Sequence, residues 1–596
     1  MQSATADPII FGKSSKEAFS ETPFLDRQML NVQDSNQGNY STHQVVFEST
    51  ALSSSGKWLD YSESYLSFPV FMCASGGAGN FATDAGIHAD YLLGLKSGSH
   101  QLIHSITCDY NGSNVIQPNG FVNMLTTYNM VTTFSQEDVR KLNASIFFSP
   151  PTDDSWIWSP AVRTSFGVGL CDNNNFPQTV GHTFGECGAR PHRGNQGFLE
   201  SQKAMVGSFA TPADANYDSG ISANTAVAIM NNGVQNTQYV NKNRDVAGCH
   251  VKQFMAQIRL KDLHDFFGKL PLLKMAQFRL VLNINNSSFV VTKSAFAGGQ
   301  AYNPSLLVGT GPVLSLAQAP SLANGTNPMM IASCFGTSAL ASSAGACVPV
   351  GTDYLCSVSV GTILNTTHRA IANVPTEHIP CRWYVPTYNI TPQYVQKYIS
   401  AGTKKVEFED FLCIQVKAPP GLFTQTLTPS LKNVLRVVIV PHYSTANFIT
   451  VGAGCSQAAS PFCDNFTFPC YGGALSQLNI RLGQVDVISA GGHRYGYEFF
   501  RSQMPHGNNA GLTDGFSSGL INEKNWTKGQ FQYYTIDCSR RLLEMESVPQ
   551  EVSITGNNML YKSDNIPVVS GELLLYCFVI YKREVVIDLQ TSNIVG

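Results

Sequence analysis

The stretch Gln257–Asn286 (QIRLKDLHDFFGKLPLLKMAQFRLVLNINN) decides the fold, because its pattern returns in shorter form at Tyr533–Asn558 (YYTIDCSRRLLEMESVPQEVSITGNN). Each copy has a strand-like run, then an apolar bridge with proline (Leu270-Pro271 or Val548-Pro549), then a second strand-like run that ends on two asparagines. Such an order indicates repeated architecture. The sequence therefore predicts two copies of one β-sandwich, which is typical of a building block and not of an enzyme.

Composition narrows the function classes. The chain has 596 residues and is 43% hydrophobic, so it can bury large cores. Charged residues make up only 13%, whereas about 25% is ordinary for soluble domains. So low a share favours a surface that neighbouring subunits cover. The formal net charge of -3 gives no support for nucleic-acid binding through phosphate neutralisation.

The cysteines and the apolar runs indicate the compartment. The 15 cysteines are scattered, and several lie in apolar strand-like runs (Cys73, Cys413, Cys577), where a free thiol behaves as a small buried hydrophobe. The polar opening of the chain is not a signal peptide. The longest apolar run, Leu573–Tyr581, is much shorter than the ~20 residues of a membrane helix. We therefore expect a soluble protein with free thiols that is not secreted through a signal peptide.

Strand-like runs divide the chain into three parts. Residues 1–30 have no period and are expected to form an N-terminal arm. Residues 31–370 are expected to form a first sandwich, with insertions near 150–250 and 294–352 that are rich in small and polar residues. We expect its last strand at Tyr354–Val360. Residues 371–596 are expected to form the second.

The second part is predicted to hold enough strands for a jelly roll, an arrangement of eight antiparallel strands in two facing sheets. Helices are expected to be few and short. One is predicted to begin at Ser135–Asp138, which has capping-box-like spacing, and another is predicted from Thr391-Pro392 to a stop at Gly402. The predicted strands are Arg382–Tyr388, Val406–Val416, Val434–Pro441, Leu478–Ile488, Phe531–Ile536, Val552–Thr555 and Leu573–Leu589.

Short segments in a consistent order carry a family resemblance over residues 31–595. They are Gln33–Tyr40, Ser55–Glu63, Phe266-Phe267, Lys269–Leu272, Cys381–Pro386, Pro392–Tyr394, Ser460–Phe462, Tyr497–Phe500, Ser518–Ile521, Asp537–Arg541 and Lys582–Glu584. In these segments the chain resembles the double jelly-roll major capsid proteins of polinton-like viruses and virophages, in the lineage of adenovirus hexon-like capsid proteins of double-stranded DNA viruses.

The resemblance implies an all-β chain with two tandem eight-stranded antiparallel jelly rolls. It implies a homotrimer that forms a six-sided capsomer, contacts neighbouring capsomers, penton and minor or cement proteins, and tiles an icosahedral shell. The location implied is the virion, with assembly inside the host cell. Contact with an internal membrane stays open.

Several residues that suggest chemistry have a simpler interpretation. His182, Cys187 and His192 have zinc-ligand character but lie in a glycine-rich segment without a matching pair, so a polar loop is preferred. Cys249-His250 is a weaker candidate. The segment 309–312 contains a proline that removes a phosphate-binding donor. We found no nucleophile or metalloprotease motif. We therefore predict no catalytic residue, metal site or cofactor.

A pair of tryptophans and two basic pairs suggest other functions for the chain. Trp156 and Trp158 suggest a sugar-stacking platform, although packing at a subunit contact is preferred. Arg540-Arg541 and Lys582-Arg583 suggest nucleic-acid contact, but solvated strand ends or partners for Glu544, Glu546 and Glu584 are preferred, so no sequence-specific nucleic-acid binding is expected. The alternative function is a glycan-binding β-sandwich attachment protein of a virion. A secreted hydrolase on a β-sandwich is a third possibility, and it predicts disulfides.

Overall fold

The structure, a computed structural model, describes residues 24–76, 91–95, 98–135, 137–138, 141, 204–206, 242–246, 249–293, 314–333, 353–363, 379–443, 475–488, 491–493, 517–518, 521–522, 533–539, 548–558 and 573–595. Two antiparallel sandwiches follow each other along the chain.

The strands of the first part are β1 (Phe24–Gln33), β2 (Gln44–Glu48), β3 (Trp58–Leu59), β4 (Tyr65–Gly76), β5 (Tyr91–Leu95), β6 (Ile103–Tyr110), β7 (Ser113–Asn119), β8 (Ala204–Val206), β9 (Lys242–Val246), β10 (Cys249–Arg259), β11 (Leu273–Lys274), β12 (Phe278–Ile284), β13 (Ser287–Lys293), β14 (Leu314–Leu322), β15 (Met329–Ser333), β16 (Asp353–Val360) and β17 (Arg382–Ile390).

The strands that follow are β18 (Thr403–Ala418), β19 (Gly421–Leu431), β20 (Val434–Tyr443), β21 (Leu475–Leu482), β22 (Val485–Asp486), β23 (Ser517–Ser518), β24 (Ile521–Asn522), β25 (Tyr534–Asp537), β26 (Gln550–Asn558) and β27 (Leu573–Asp588). The described α-helices are α1 (Thr50–Ser53), α2 (Val122–Thr133), α3 (Leu260–Leu263), α4 (Asp265–Lys269) and α5 (Pro392–Ile399), and 3₁₀ turns lie at Tyr61–Glu63 and Ser99–Leu102.

The second sandwich is a jelly roll. Its sheets have the strand orders β18-β27-β20-β25 and β19-β26-β21-β22. If the eight strands are counted along the chain, the first, eighth, third and sixth form one sheet, and the second, seventh, fourth and fifth form the other. This alternation between two sheets is the double Greek key of a jelly roll. The short pair β23 and β24 lies in the connection between the fifth and sixth strands.

The first sandwich has the same topology with additions. Its sheets contain the orders β1-β17-β4-β10 and β2-β12-β6-β7, which again join the first, eighth, third and sixth strands and the second, seventh, fourth and fifth. The predicted all-β fold with two tandem eight-stranded jelly rolls is therefore confirmed. The two copies of the repeat also occupy equivalent places, because each runs from the sixth strand to the seventh (β10 to β12, and β25 to β26).

The strand β17 corrects the predicted domain boundary. We expected Arg382–Tyr388 in the second part and the first part to end at 370, but β17 pairs with β1, β3 and β4. Trp383 on β17 is fully buried against Phe47, Tyr61 and Phe278 of the first core. The prediction was wrong because a strand's own residue pattern does not identify its partner. The predicted last strand, β16, belongs to the connection between β12 and β17.

The predicted arm also changes. Residues 24–30, which we expected in an arm ending at residue 30, belong to β1 and pair with β17. The rest of the arm, residues 1–23, lies outside the described residues, as do most of the predicted insertions.

A proline marks the place where the neighbour of β4 changes. Residues 65–67 of β4 pair with β17, and residues 70–76 pair with β16. Pro69 lies between these two segments and has no backbone N–H to donate to a neighbouring strand. The residue without an N–H therefore lies where β4 changes its partner from β17 to β16, so the branch in the sheet costs little in hydrogen bonding.

The strand ends that flank the longest connections lie at one end of each sandwich, which we call the loop end. The longest connections, residues 77–102, 120–248 and 285–381 in the first sandwich and residues 444–474 and 487–533 in the second, all join strands at this end, together with the shorter connections 34–43, 419–420 and 559–572. Because successive strands run in opposite directions, alternate connections meet at one end. In the first sandwich, β5, β8 and β15 come from three of these connections and pair as the sheet β15-β5-β8.

Candidate functional site: the junction between the two sandwiches

One sheet of the second sandwich is covered on both faces. Residues Leu575–Val579 on β27 are all buried, although successive side chains point to opposite faces. The first sandwich contributes to this cover, because the ring of Phe121 lies 4.8 Å from that of Tyr576, and the ring of Tyr128 lies 4.8 Å from that of Tyr533. The apolar run Leu573–Tyr581 is therefore a strand between two layers, as such runs are in other doubly covered sheets.

A buried carboxylate lies where the sandwiches meet. The side chain of Asp410 on β18 is fully buried, and four donors converge on it. Arg583 Nη1 lies 2.8 Å and the Tyr581 hydroxyl 3.2 Å from Oδ2, while the Phe411 N–H lies 2.8 Å and His264 Nε2 3.3 Å from Oδ1. His264 comes from the first sandwich, so the carboxylate ties one sandwich to the other.

The hydrogen bonds set the charge state of this cluster. Burial alone raises the pKa of a carboxyl group, but the bonds from His264, Arg583 and Phe411 outweigh it and hold the pKa of Asp410 below its ordinary value. Burial and the neighbouring Asp410 charge raise the pKa of Tyr581. Asp410 is therefore an anion at neutral pH, and Tyr581 is its neutral donor.

The geometry also selects the tautomer of His264. Its Nδ1 accepts the backbone N–H of Phe266, 3.2 Å away, at the start of α4. A neutral imidazole that accepts at Nδ1 carries its proton on Nε2, and this nitrogen faces Asp410. His264 thus caps the start of α4 and links this helix to β18, so it holds the two elements in position.

Other polar contacts extend this junction. Arg583 also donates to the carbonyl of Val115 on β7, at 2.9 Å. Asn119, at the end of β7, donates to the carbonyl of Phe411 at 2.6 Å, and Asp265 accepts the N–H of Glu409 at 3.1 Å. Backbone groups of both sandwiches are therefore paired across the junction, which fixes one relative position.

The C-terminal segment forms a clasp on the first sandwich. The hydroxyl of Tyr110 and the side-chain amide of Asn111 both donate to the carbonyl of Ser592. The Ser592 hydroxyl donates to the carbonyl of Lys274 at 2.6 Å. Ser592 itself is fully buried. A segment that follows the last strand of the second sandwich is thus held between two turns of the first.

The linker between the sandwiches is packed as well. The predicted helix after Thr391 is confirmed as α5, and Gly402 follows it with a φ of 70°. The Tyr398 hydroxyl donates to the carbonyl of Leu272 at 3.1 Å, and Lys404 Nζ lies 4.3 Å from the centre of the Tyr398 ring. A small apolar cluster surrounds the helix; its buried members are Trp58, Leu272, Tyr388, Ile390, Tyr398 and Leu589.

The candidate residues from sequence have varied outcomes. Lys582 and Arg583 form ion pairs, with Glu407 at 2.5 Å and Asp410 at 2.8 Å, so they have carboxylate partners, although not the glutamates we named. Glu584 pairs instead with Lys405. Cys249 and His250 begin β10. The other candidates lie outside the described residues: His182, Cys187, His192, Trp156, Trp158, residues 309–312, Arg540, Arg541, Glu544 and Glu546.

Two expectations, the free thiols and the capping box, are met in the described parts. Cys73, Cys413 and Cys577 are free thiols within strands. Ser135 and Asp138 form a reciprocal capping box, since the Asp138 N–H donates to the Ser135 hydroxyl and the Ser135 N–H to the Asp138 carboxylate. Within the described ranges, no cluster of three or more His, Cys, Asp or Glu side chains has a metal-binding arrangement. No helix in those ranges is long and apolar enough to cross a bilayer.

Sequence reasoning missed the Asp410 cluster. The available signal was the acidic pair Glu409-Asp410 between Phe408 and Phe411 in a predicted strand, since a buried charge requires a partner. The partners His264 and Arg583 are distant in sequence, so only the fold reveals them.

Comparison with known proteins gives matches in structure alone. The sequence matches no protein-family model and no curated protein sequence. The structure is similar to the mavirus major capsid protein (10% identity, TM-score 0.47, covering 98% of this chain and 92% of that one). It is also similar to the Sputnik virophage structure (9%, 0.45, 98% and 90%) and the Faustovirus major capsid protein (8%, 0.42, 97% and 92%). Since these TM-scores are below 0.5, the jelly-roll assignment rests on the strand order.

Proposed function

We propose that this chain is the major subunit of an icosahedral viral capsid and that three copies form a six-sided capsomer. The proposal rests on a difference between two strands that hold equivalent places in the two sandwiches. The first strand of the second sandwich, β18, is covered by the first sandwich. The first strand of the first sandwich, β1, has no such cover within the described chain.

The difference between the two strands is large. On β18, Val406, Phe408 and Asp410 are buried, and the ring of Phe408 lies 5.0 Å from that of Phe266 on α4. On β1, Leu25 is 67% exposed and Met29 is 41% exposed. In the described parts of the chain, β1 pairs with β17 alone. An exposed edge strand with apolar side chains invites association.

A second copy of the chain can cover β1, because the equivalent contact already exists within one chain, where the first sandwich covers β18. If the second sandwich of one chain covers β1 of the next, as the first covers β18, the same kind of contact repeats head to tail. Such heterologous contacts form a ring when the rotation between units closes. Six sandwiches from three chains make the six-sided ring that the sequence resemblance implies.

The rigid junction supports the same proposal. A ring closes reproducibly only if the angle between the two sandwiches is constant. The Asp410 cluster, the C-terminal clasp and the α5 linker each oppose rotation of one sandwich against the other. The low charged fraction of 13% agrees with a surface that is largely covered after assembly.

The remaining features of the proposal follow from a shell role. The protein acts through shape and edge contacts, without catalysis or a cofactor, and it is located in the virion after assembly inside the host cell. Its partners are copies of itself, neighbouring capsomers, and penton and minor capsid proteins. The loop ends, with their long connections, face away from the shell.

The test measures the oligomeric state of the purified full chain. Mass photometry is expected to give three times the chain mass of 64.7 kDa, and negative-stain images six-sided particles. The double variant Leu25→Asp/Met29→Asp places two charges on β1 and is expected to be monomeric. The matched control Leu422→Asp changes a side chain that is 76% exposed on β19 and is expected to remain trimeric.

Two outcomes contradict the proposal. One is a wild-type protein that is monomeric at micromolar concentration, which favours the attachment-protein alternative if that monomer also binds glycans. The other is a trimer that survives the double change on β1, because the covered edge would then lie elsewhere.

A further inference from the structure

A polar cleft lies at the loop end of the first sandwich. It has a volume of about 240 Å³ and is lined by residues from β13, from β16, from the end of β14 and from the segment before β2. Pockets for drug-sized ligands are larger, about 300–1,000 Å³. The cleft therefore has room for a single small ring.

Strand register places hydroxyl groups side by side in this cleft. Ser288 on β13 is directly opposite Ser321 on β14 and Ser357 on β16. Residues directly opposite in neighbouring strands share a face of the sheet. Among the described residues none is hydrogen-bonded to the hydroxyls of these three serines, so each is available to a ligand.

The next row of the cleft is held in place by the protein. The side-chain amide of Asn286 contacts His43 Nδ1 at 3.1 Å, and its oxygen accepts the N–H of Val360 at 3.2 Å. The Ser359 hydroxyl donates to the carbonyl of Thr362 at 2.6 Å, which leaves its oxygen as an acceptor. Asn286 and Ser359 are both more than nine-tenths buried. The cleft thus has fixed acceptors beside three available hydroxyls.

We propose that this serine cleft binds one ring of a neutral sugar. A serine hydroxyl both donates and accepts, which matches the hydroxyls of a sugar. Phosphate, sulfate and carboxylate groups form their strongest hydrogen bonds with charged donors, and His43 is the sole ionisable side chain among the described residues that line the cleft. The inference does not depend on the capsid proposal, because it rests on this sandwich alone.

The test is saturation-transfer difference NMR on the full chain with a panel of neutral methyl glycosides. Glycerol and a sialic acid glycoside are the comparators. We expect signals from at least one neutral glycoside with a dissociation constant of about 1 mM, and none from the sialic acid glycoside. Ser288→Ala and Ser357→Ala each remove one available hydroxyl and are expected to weaken binding by about 5-fold.

A control and a blocking variant complete the experiment. Ser430→Ala removes an exposed hydroxyl on β19 of the second sandwich and is expected to bind normally. Ser321→Leu fills the exposed rim of the cleft and is expected to abolish binding without disturbing the buried residues. The inference is overturned if no neutral glycoside binds, if glycerol or the sialic acid glycoside binds equally well, or if Ser321→Leu binds like the wild type.

Discussion

The substitution Asp410→Asn tests whether the buried carboxylate holds the two sandwiches together. Asparagine keeps the shape of the side chain and one acceptor oxygen, but it removes the charge and replaces the other oxygen with a donor. Two of the four donors around Asp410 then lose their acceptor. An orphaned buried donor costs about 1–3 kcal/mol, and breaking a buried ion pair costs about 3–5 kcal/mol.

The exposure of Arg583 decides where in this range the effect falls. Its side chain is 27% exposed and stays partly hydrated without its partner. We therefore expect Asp410→Asn to lower the free energy of unfolding by about 3 kcal/mol, near the lower limit. Urea unfolding followed by tryptophan fluorescence and size-exclusion chromatography measures this loss.

Two variants accompany the measurement. Asp486→Asn removes an exposed carboxylate 2.9 Å from Arg481 and is expected to cost less than about 0.5 kcal/mol. Adding Arg583→Met to Asp410→Asn removes the unpaired cation, so the double variant is expected to lose less than the two single losses combined. If Asp410→Asn unfolds at the same urea concentration as Asp486→Asn, the carboxylate does not hold the junction.

The pKa of Asp410 gives the same variant a pH signature. Because the pKa is lower in the folded chain, the carboxylate contributes stability at every pH above the unfolded value of about 3.9. This contribution is lost as the pH falls through the folded pKa. We expect the difference in unfolding free energy between wild type and Asp410→Asn to be constant from pH 6 to 7, because these pH values lie about two units or more above the unfolded pKa. The difference is expected to shrink below about pH 4.

Three further changes test other parts of the structure. Deleting residues 592–596 leaves the Tyr110 hydroxyl without its acceptor and is expected to cost about 2–4 kcal/mol in urea unfolding, whereas deleting residue 596 alone is expected to cost nothing. Gly361→Ala is expected to cost about 2–4 kcal/mol by the same assay, because φ is 80° and the new Cβ would lie 2.2 Å from the Tyr40 ring. Burial lowers the pKa of Lys404 to about 8, below the unfolded value of about 10.4. The stability of the fold is therefore expected to rise with pH between these two values, and Lys404→Met is expected to remove that rise in thermal unfolding.

Local patterns in the sequence were sufficient for much of the secondary structure. Strand-like runs predicted β18 and β20, and the Thr391-Pro392 signal predicted α5. Among the elements that these patterns did not predict, two have identifiable reasons. The strand β19 is an edge strand rich in threonine with few buried positions, and α2 is buried on nearly all sides and therefore has no amphipathic period.

The candidate junction was harder to predict. Arg583 was singled out as a basic residue, yet its partners could not be assigned, because Asp410 and Val115 approach it only in the folded chain. The serine cleft left no sequence signal, since its three hydroxyls come from strands whose register depends on the entire sheet.

The sequence by itself determined that the chain is a duplicated β-sandwich, because strand-like runs and the repeated order of strand, proline and asparagine pair are local properties of the chain. Only the tertiary structure decided which sandwich β17 joins, which residues meet Asp410, and which edge strand is left uncovered. These outcomes depend on pairing between distant segments, where many partners satisfy the same local pattern and the packing of side chains such as Trp383 selects one.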